Sequence, residues 1–560
     1  MQLNPVTISL RKRQRQTGQT EVVIMVRVLV SDPLSEEGLQ LLKEKARVDV
    51  LTDKDEKELL GLISNYDALI VRSGTQVNSA LIEAGKNLKV IGRAGVGVDN
   101  IDVDKATEKG IMVINAPEGN TISAAEHTMA LLASLVRNIP AAHRSIKEGK
   151  WERKLFTGVE LHQKKMGLLG MGRIGSEVAR RARAMNMQVL AYDPYISPER
   201  AQKTGVELVS REELFKEADF ISLHLPLVSS TYHIIGEKEL EMIKPGASLI
   251  NCARGGLVNE EALYYALKEG RLAGAALDVF EDEPPRESPL LELDNVVLTP
   301  HLGASTEEAQ VHVAVQVADQ VLRALQGDHV VTAVNVPTLL PEVLSEVEHF
   351  LPLMRMMGSF YMQLYGGAVE KVEIHYSGEI AEKPVTPLTT SCLIGMLQVI
   401  TGEQVNFVNA SHIAGSRGIH VKETLSSSVE NFANLITLTV TGEGESKVLA
   451  GTLFGEKDMR IVQIGDYRIE VVPSRYILVC TYVDRPGVIG RVGILLGDNG
   501  INIASMQVGR QSIGGEAVMV LQVDDPVSSE LMQEVSRLDG IVDTNFVELQ
   551  EKDLQDPMRK

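Results

Sequence analysis

From Val26 onward the apolar positions fall into short runs separated by amphipathic stretches. Val26-Arg27-Val28-Leu29-Val30-Ser31-Asp32 predicts a buried strand, 36–46 a helix and 48–51 the next strand. The rhythm repeats through the apolar runs at 68–71, 90–92 and 112–114, which predicts a parallel sheet covered by helices on both faces. A long apolar helix follows over 123–137. A strand at 165–169 opens a second α/β series lasting to about Thr299. Over 307–326 apolar residues recur at alternating spacings of four and three until Gly327-Asp328 stops the helix.

Past a linker at 334–341 the texture changes to β-rich runs such as 372–376, 438–440 and 467–472. The last stretch reads strand, helix, strand, strand, helix, strand, which is the βαββαβ order of a ferredoxin-like domain. The expected fold class is therefore α/β: two doubly wound, Rossmann-like units, then an intervening α+β domain and a small βαββαβ domain. Residues 1–25 read as a disordered tail, 26–122 with 303–335 as one unit, 123–302 as the second, 345–472 as the intervening domain and 478–550 as the last.

Gly170-Met171-Gly172-Arg173-Ile174-Gly175 lies between a predicted strand and a predicted helix, and the following strand ends in Asp193. In that setting the glycines serve a tight turn, close approach of backbone to a pyrophosphate and close packing of helix on sheet. The helix N-terminus offers amides and partial positive charge to phosphates. An acid at Asp193 accepts hydrogen bonds from ribose hydroxyls and repels a 2′-phosphate, so the expected cofactor is NAD. Three ionisable residues fall at later strand ends: Arg254 in Asn251-Cys252-Ala253-Arg254-Gly255-Gly256, Glu283 before Pro284-Pro285, and His301 in Pro300-His301-Leu302-Gly303. Singly they are ordinary loop residues. Together they supply a base near neutral pH, a carboxylate to orient it and a cation for a developing alkoxide, the requirements of hydride transfer from an alcohol.

The 560 residues are long enough for three to four domains, and 44% hydrophobic with 23% charged residues is an ordinary globular balance. A net charge of −19 repels phosphate backbones and anionic lipid, so neither nucleic acid nor membrane is an expected partner. Cys252, Cys392 and Cys480 form no disulfide framework or zinc pattern, and no metal is expected. With no secretory signal pattern in 1–20, a cytoplasmic setting is expected, an organelle transit peptide being the alternative reading of that basic stretch.

These motifs, with Asp278-Val279-Phe280 and Ala304-Ser305-Thr306, resemble the D-isomer-specific 2-hydroxyacid dehydrogenases, over about 26–330. Among them the chain is similar to the long branch with two extra C-terminal domains, which implies 3-phospho-D-glycerate as substrate and a place at the start of phosphorylated L-serine synthesis. A side activity on 2-hydroxyglutarate is implied too. The rivals are another D-2-hydroxyacid dehydrogenase, such as a glyoxylate or hydroxypyruvate reductase, and a non-catalytic NAD sensor. The resemblance assigns His301 as acid/base, Glu283 as its partner and Arg254 to the substrate carboxylate and carbonyl. It assigns NAD contacts to Gly170, Gly172, Arg173, Ile174, Gly175, Asp193, Leu225, Cys252, Ala253, Arg254, Asp278, His301, Gly303, Ala304 and Val96. Substrate contacts fall on Arg72, Ser73, Arg93, Gly95 and Arg254, with Arg72 and Arg93 as guanidinium forks for a phosphate. Val96 stands where the family often has Thr, so any contact there comes from the backbone.

Tyr482-Val483-Asp484-Arg485-Pro486-Gly487 with Asn499-Gly500-Ile501-Asn502 resembles an ACT domain, a module that holds an amino acid at the seam of two copies. The resemblance implies L-serine as effector, with Tyr482, Asp484 and Asn502 the matching positions, and a homodimer or homotetramer. The plainer reading is a dimerising module without ligand. Ten acidic against four basic residues over 478–550 argue against an RNA platform.

Overall fold

The computed structural model describes residues 26–328, 330–336, 345–401, 405–429, 431–455 and 457–550, together with the backbone of Arg11–Gln14 and Thr20–Val23. Those two N-terminal segments pair as antiparallel strands. The rest of the tail read as disordered lies outside the described residues.

Strands β1 (Arg27–Val30), β2 (Arg47–Val50), β3 (Ala68–Val71), β4 (Val90–Arg93) and β5 (Met112–Ile114) form a parallel sheet in the order β2-β1-β3-β4-β5. Helix α1 (Glu36–Lys45) follows β1. The second parallel sheet is built from β6 (Lys165–Leu169), β7 (Gln188–Tyr192), β8 (Glu207–Leu208), β9 (Phe220–Leu223), β10 (Ser248–Asn251), β11 (Gly274–Leu277) and β12 (Val296–Leu298). Its order is β8-β7-β6-β9-β10-β11-β12. Strands β3, β9, β10 and β11 are buried along their whole length, and β1, β4 and β6 at all but one end residue, hence their continuous apolar runs. Helix α2 (Thr121–Val136) links the two units and α3 (Arg173–Ala184) follows β6. Helix α4 (Glu307–Gln326) leaves the second unit and packs back on the first, placing Val317 and Val321 against β4 at Gly92. Thr306 caps its start and Gly327, at φ 84°, ends it.

The intervening domain is a six-stranded sheet, Lys371–Gly378 to Tyr467–Val471, carrying helices α5 (Phe350–Tyr365) and α6 (Thr386–Thr401). The last domain is β13 (Tyr476–Val483), α7 (Val488–Asp498), β14 (Ile503–Arg510), β15 (Glu516–Val523), α8 (Ser529–Ser536) and β16 (Ile541–Glu548), its antiparallel sheet ordered β14-β15-β13-β16. The faces of β13 alternate. Leu478, Cys480 and Tyr482 lie in the core with α7 and α8, whereas Ile477 and Val479 join the core of the intervening domain. The two C-terminal units therefore share one core while keeping separate sheets.

Candidate active site between the two α/β units

Ligands in open α/β sheets sit beyond the carboxyl ends of the strands, where the strand order reverses. Both sheets reverse there, one between β1 and β3 and the other between β6 and β9, and a cleft of about 650 Å³ is lined by loops of both. From the first unit come Arg72, Ser73, Arg93, Gly95, Val96 and Asp99; from the second come Arg254, Glu283, His301 and Ala304.

His301 and Glu283 meet as expected for a base and its orienting carboxylate, with His301 Nδ1 2.8 Å from Glu283 Oε2. The other Glu283 oxygen accepts the Phe280 amide at 3.2 Å, which fixes the carboxylate. His301 Nε2 is thereby the ring nitrogen that Glu283 does not engage. The histidine has φ 54°, a left-handed conformation rare outside glycine and asparagine, and its amide donates to the Asp278 carbonyl at 2.9 Å.

Three guanidiniums converge on the cleft. Arg254 Nε donates to Asp99 Oδ2 across the cleft at 3.1 Å, and Arg254 also donates to its neighbour's carbonyl at Ala253. At Gly97 an added Cβ would lie 2.1 Å from the Arg254 guanidinium, so only glycine admits this approach. Arg72 sits in a turn held by Asp32 at the end of β1, which accepts the Arg72 amide at 2.6 Å and the Thr75 amide at 3.1 Å. Arg93 Nε is shut off from solvent and has no hydrogen-bond partner among the described residues. Burial, and then the neighbouring Arg254 and Arg72 cations, lower its pKa to about 10 despite Asp99 and Asp32. A buried donor without an acceptor, inside a cluster of like charges, is a site made for an anion.

The dinucleotide loop has the space its ligand needs. At Gly170, φ 97°, a Cβ would sit 2.5 Å from the His224 carbonyl oxygen, and at Gly175 one would sit 2.2 Å from the Gly170 carbonyl oxygen. Gly172, by contrast, faces open space. It precedes α3 without a side-chain cap, so the first amides of that helix, at Arg173 and Ile174, are free to meet phosphate. Asp193 ends β7 beside this loop and accepts the Met171 amide at 2.8 Å and the Tyr195 amide at 2.9 Å, one on each oxygen. Each oxygen keeps a lone pair for a ribose hydroxyl. Leu225 and Cys252 follow β9 and β10. Burial, and then Asp278, push the Cys252 thiol up to about 12, so it is an inert wall rather than a nucleophile. His127, Cys252 and Asp278 bring ligand-type atoms within 4.8 Å, a grouping the sequence gave no reason to expect.

The C-terminal candidates do not converge within one chain. Asp484 follows β13 and accepts from Arg510 at 3.0 Å, while Asn502 precedes β14 and donates to Asp524 at 2.7 Å. Tyr476 and Ile503 both pair with Val523, while Val483 pairs with Glu516 and Arg510 with Ala517. Asp484 and Asn502 thus lie at opposite ends of the sheet, separated along the strands by roughly 20 Å or more. Tyr482 is 1% exposed and part of the core, its hydroxyl without a partner among the described residues, so it offers a single chain's ligand no open surface. Residues that sequence reasoning passed over include Asp99, which holds Arg254, and Asn115, whose side chain donates to the Val96 carbonyl at 2.6 Å and steadies the cleft loop.

Two facing α/β units with a histidine–glutamate pair, an arginine cluster and a dinucleotide loop define a nicotinamide-dependent 2-hydroxyacid dehydrogenase, and the comparisons agree. The NAD-binding domain of D-isomer-specific 2-hydroxyacid dehydrogenases matches residues 129–303, the D-3-phosphoglycerate dehydrogenase intervening domain matches 346–465, and the ACT domain matches 476–540. D-3-phosphoglycerate dehydrogenase of Synechocystis is 46% identical over 94% of this chain and 95% of its own length, and that of Methanocaldococcus jannaschii 47% over 94% and 100%. Among solved structures, the TT0316 protein of Thermus thermophilus is 36% identical with a TM-score of 0.52, covering 55% of this chain and all of its own. The chain belongs to the D-3-phosphoglycerate dehydrogenase family.

Proposed function

We propose that the chain oxidises 3-phospho-D-glycerate to 3-phosphooxypyruvate with NAD. The observation that carries this reading is the set of three guanidiniums, one with an unpartnered buried donor, beside a histidine–glutamate pair. A substrate with a phosphate at one end and a carboxylate at the other supplies the missing anions. Arg72 and Arg93 take the phosphate and Arg254 takes the carboxylate and C2 oxygen, exchanging its contact with Asp99. His301 Nε2 removes the C2 hydroxyl proton, and Glu283 stabilises the imidazolium that results. Bound NAD would supply the hydride acceptor for C2. The glycine loop and the amides opening α3 hold its pyrophosphate, and Asp193 holds the adenosine ribose.

The family's short members lack the C-terminal domains, and L-serine is the effector we assign to the ACT domain. Because Asp484 and Asn502 stand at opposite ends of one sheet, a seam between two copies is the arrangement that joins them, and we assign a homo-oligomer of at least two chains. Among the described residues no helix is long and apolar enough to cross a membrane, and a cytoplasmic enzyme is our reading. NAD reduction over a panel of 2-hydroxyacids, with and without serine, tests all of this. 3-Phosphoglycerate must outperform glycerate, D-lactate and 2-hydroxyglutarate; equal activity without the phosphate removes Arg72 and Arg93 from the role given them.

A further inference from the structure

Asp278 is a fully buried carboxylate that follows β11, and the loop carrying His301 hangs from it. Its carbonyl accepts the His301 amide, one oxygen (Oδ1) accepts the Leu302 amide at 2.7 Å and the Thr299 hydroxyl at 2.5 Å, and the other (Oδ2) accepts the Gly303 amide at 2.8 Å. All of these donors belong to the loop itself. The donor from elsewhere is His127 on α2, with Nε2 3.1 Å from Asp278 Oδ1 and 3.2 Å from Thr299 Oγ1.

Simple accounting sets the tautomer. A carboxylate only accepts, and the Thr299 hydroxyl proton already points to Asp278, so the hydrogen shared with both must sit on His127 Nε2. Burial alone would raise the Asp278 carboxyl, but the hydrogen bonds from His127, Thr299 and Leu302 outweigh it and hold the group below the ordinary carboxylate range. Oδ1 therefore has three donors and Oδ2 one, the Gly303 amide, so that every donor but His127 comes from the loop that carries His301. The Cys252 thiol completes a cluster of metal-ligating types with these two residues. Protons account for its polar atoms, because a cation at Oδ1 would have to displace donors that hold the His301 loop.

We propose that His127 is a positioning residue which, by fixing Asp278 from outside the loop, sets the seat of His301. This rests on the dehydrogenase reading above. A hydrogen bond to a charged group contributes on the order of tenfold or more when its loss leaves the partner short of a donor. Removing it acts on turnover, through the seat of His301, and not on the arginines that grip the substrate.

The test uses the full chain with H127L, close in size but without a donor, and H127Q, whose amide nitrogen reaches about the place of Nε2. NAD reduction reads kcat and both KM values. In H127L kcat should fall about tenfold, with KM for 3-phosphoglycerate nearly unchanged; H127Q should restore most of kcat. An H127L protein with parental constants overturns the proposal, as does an H127Q protein as impaired as H127L, which would reduce the ring to packing. If H127L does not fold, H127Q decides alone: near-parental constants support the hydrogen-bond role and weakened ones overturn it. Should the parent oxidise no 2-hydroxyacid, the catalytic reading falls, and amide hydrogen exchange at 301–303, faster in H127L than in the parent and in H127Q if the proposal holds and equal in all three if it does not, still decides the role of His127.

Discussion

Replacing Arg93 with methionine should make the substrate-free protein more stable and the enzyme worse. The guanidinium is held at a pKa of about 10 against an ordinary 12.5, first by burial and then by Arg254 and Arg72. The shift of about 2.5 units at 1.36 kcal/mol each amounts to about 3 kcal/mol against the charged form. Solvent at the cleft mouth screens part of this, so the figure is an upper bound. The sign follows from which form is disfavoured. Below pH 10 the arginine is charged in folded and unfolded chains alike, and the folded state carries the whole cost; the cost shrinks as pH rises from 10 toward 12.5. Near neutral pH, Arg93→Met removes the cation, keeps an apolar stem of similar length and should raise the melting temperature of the substrate-free protein by a few degrees. A bound phosphate reverses the balance, because it supplies the acceptor that Arg93 Nε lacks. The mutant should therefore lose roughly 10- to 100-fold in KM for 3-phosphoglycerate, together with most of the thermal shift that this ligand gives the parent. Scanning calorimetry with and without millimolar substrate, alongside initial rates, measures both. A substrate-free mutant that melts below the parent, or one that keeps the parental KM, refutes the reasoning.

H301Q should lower kcat by on the order of 10²-fold or more while calorimetric NAD affinity stays near the parent's, because the proton acceptor is lost and the dinucleotide loop is untouched; rapid turnover in this variant removes His301 from the mechanism. D193S should raise KM for NAD and narrow the preference over NADP, since it removes the ribose acceptor and the charge that repels a 2′-phosphate; an unchanged ratio of the two kcat/KM values would assign selectivity elsewhere. D484A or N502A should abolish inhibition by serine with serine-free rates close to the parent, because a ligand shifts an equilibrium only through contacts that differ between states; retained inhibition would place the effector site elsewhere.

What the chain disclosed in advance follows from how local each signal is. Helix α4 was readable to both ends because Thr306 and Gly327 punctuate an amphipathic run. The dinucleotide loop was readable because its glycines answer to steric demands within a few residues, as the short distances at Gly170 and Gly175 bear out. Helix α6 was not: Thr386–Thr401 is buried on nearly every side, so no polar face marks its period. The apolar pattern alone predicts a strand over 501–508, whereas β14 runs Ile503–Arg510 and starts at a bulge between Ile503 and Ser505. Asp99 and His127 escaped for a different reason. Each gains its role from a partner about 150 residues away, Arg254 for the one and Asp278 for the other, and nothing in their own neighbourhoods signals it.

The site works as a whole because its two halves are specified by different sheets and meet only in the cleft. In the function proposed above, anion binding falls to the turn after β3 and the loop after β4, braced by Asp32 and Asn115, and proton and hydride chemistry to loops after β6, β10, β11 and β12, braced by Asp193, Asn251 and Asp278. Arg254 belongs to the second set yet reaches Asp99 in the first. Without substrate this pair holds the guanidinium across the opening, at modest energy because Asp99 is exposed. A carboxylate that enters the cleft competes with Asp99 for the same guanidinium, and it wins only if the phosphate at its other end is gripped by Arg72 and Arg93. On the proposed function, binding energy from the phosphate would thereby be converted into placement of C2 beneath His301, which would make the reaction depend on a group that takes no part in the bond changes.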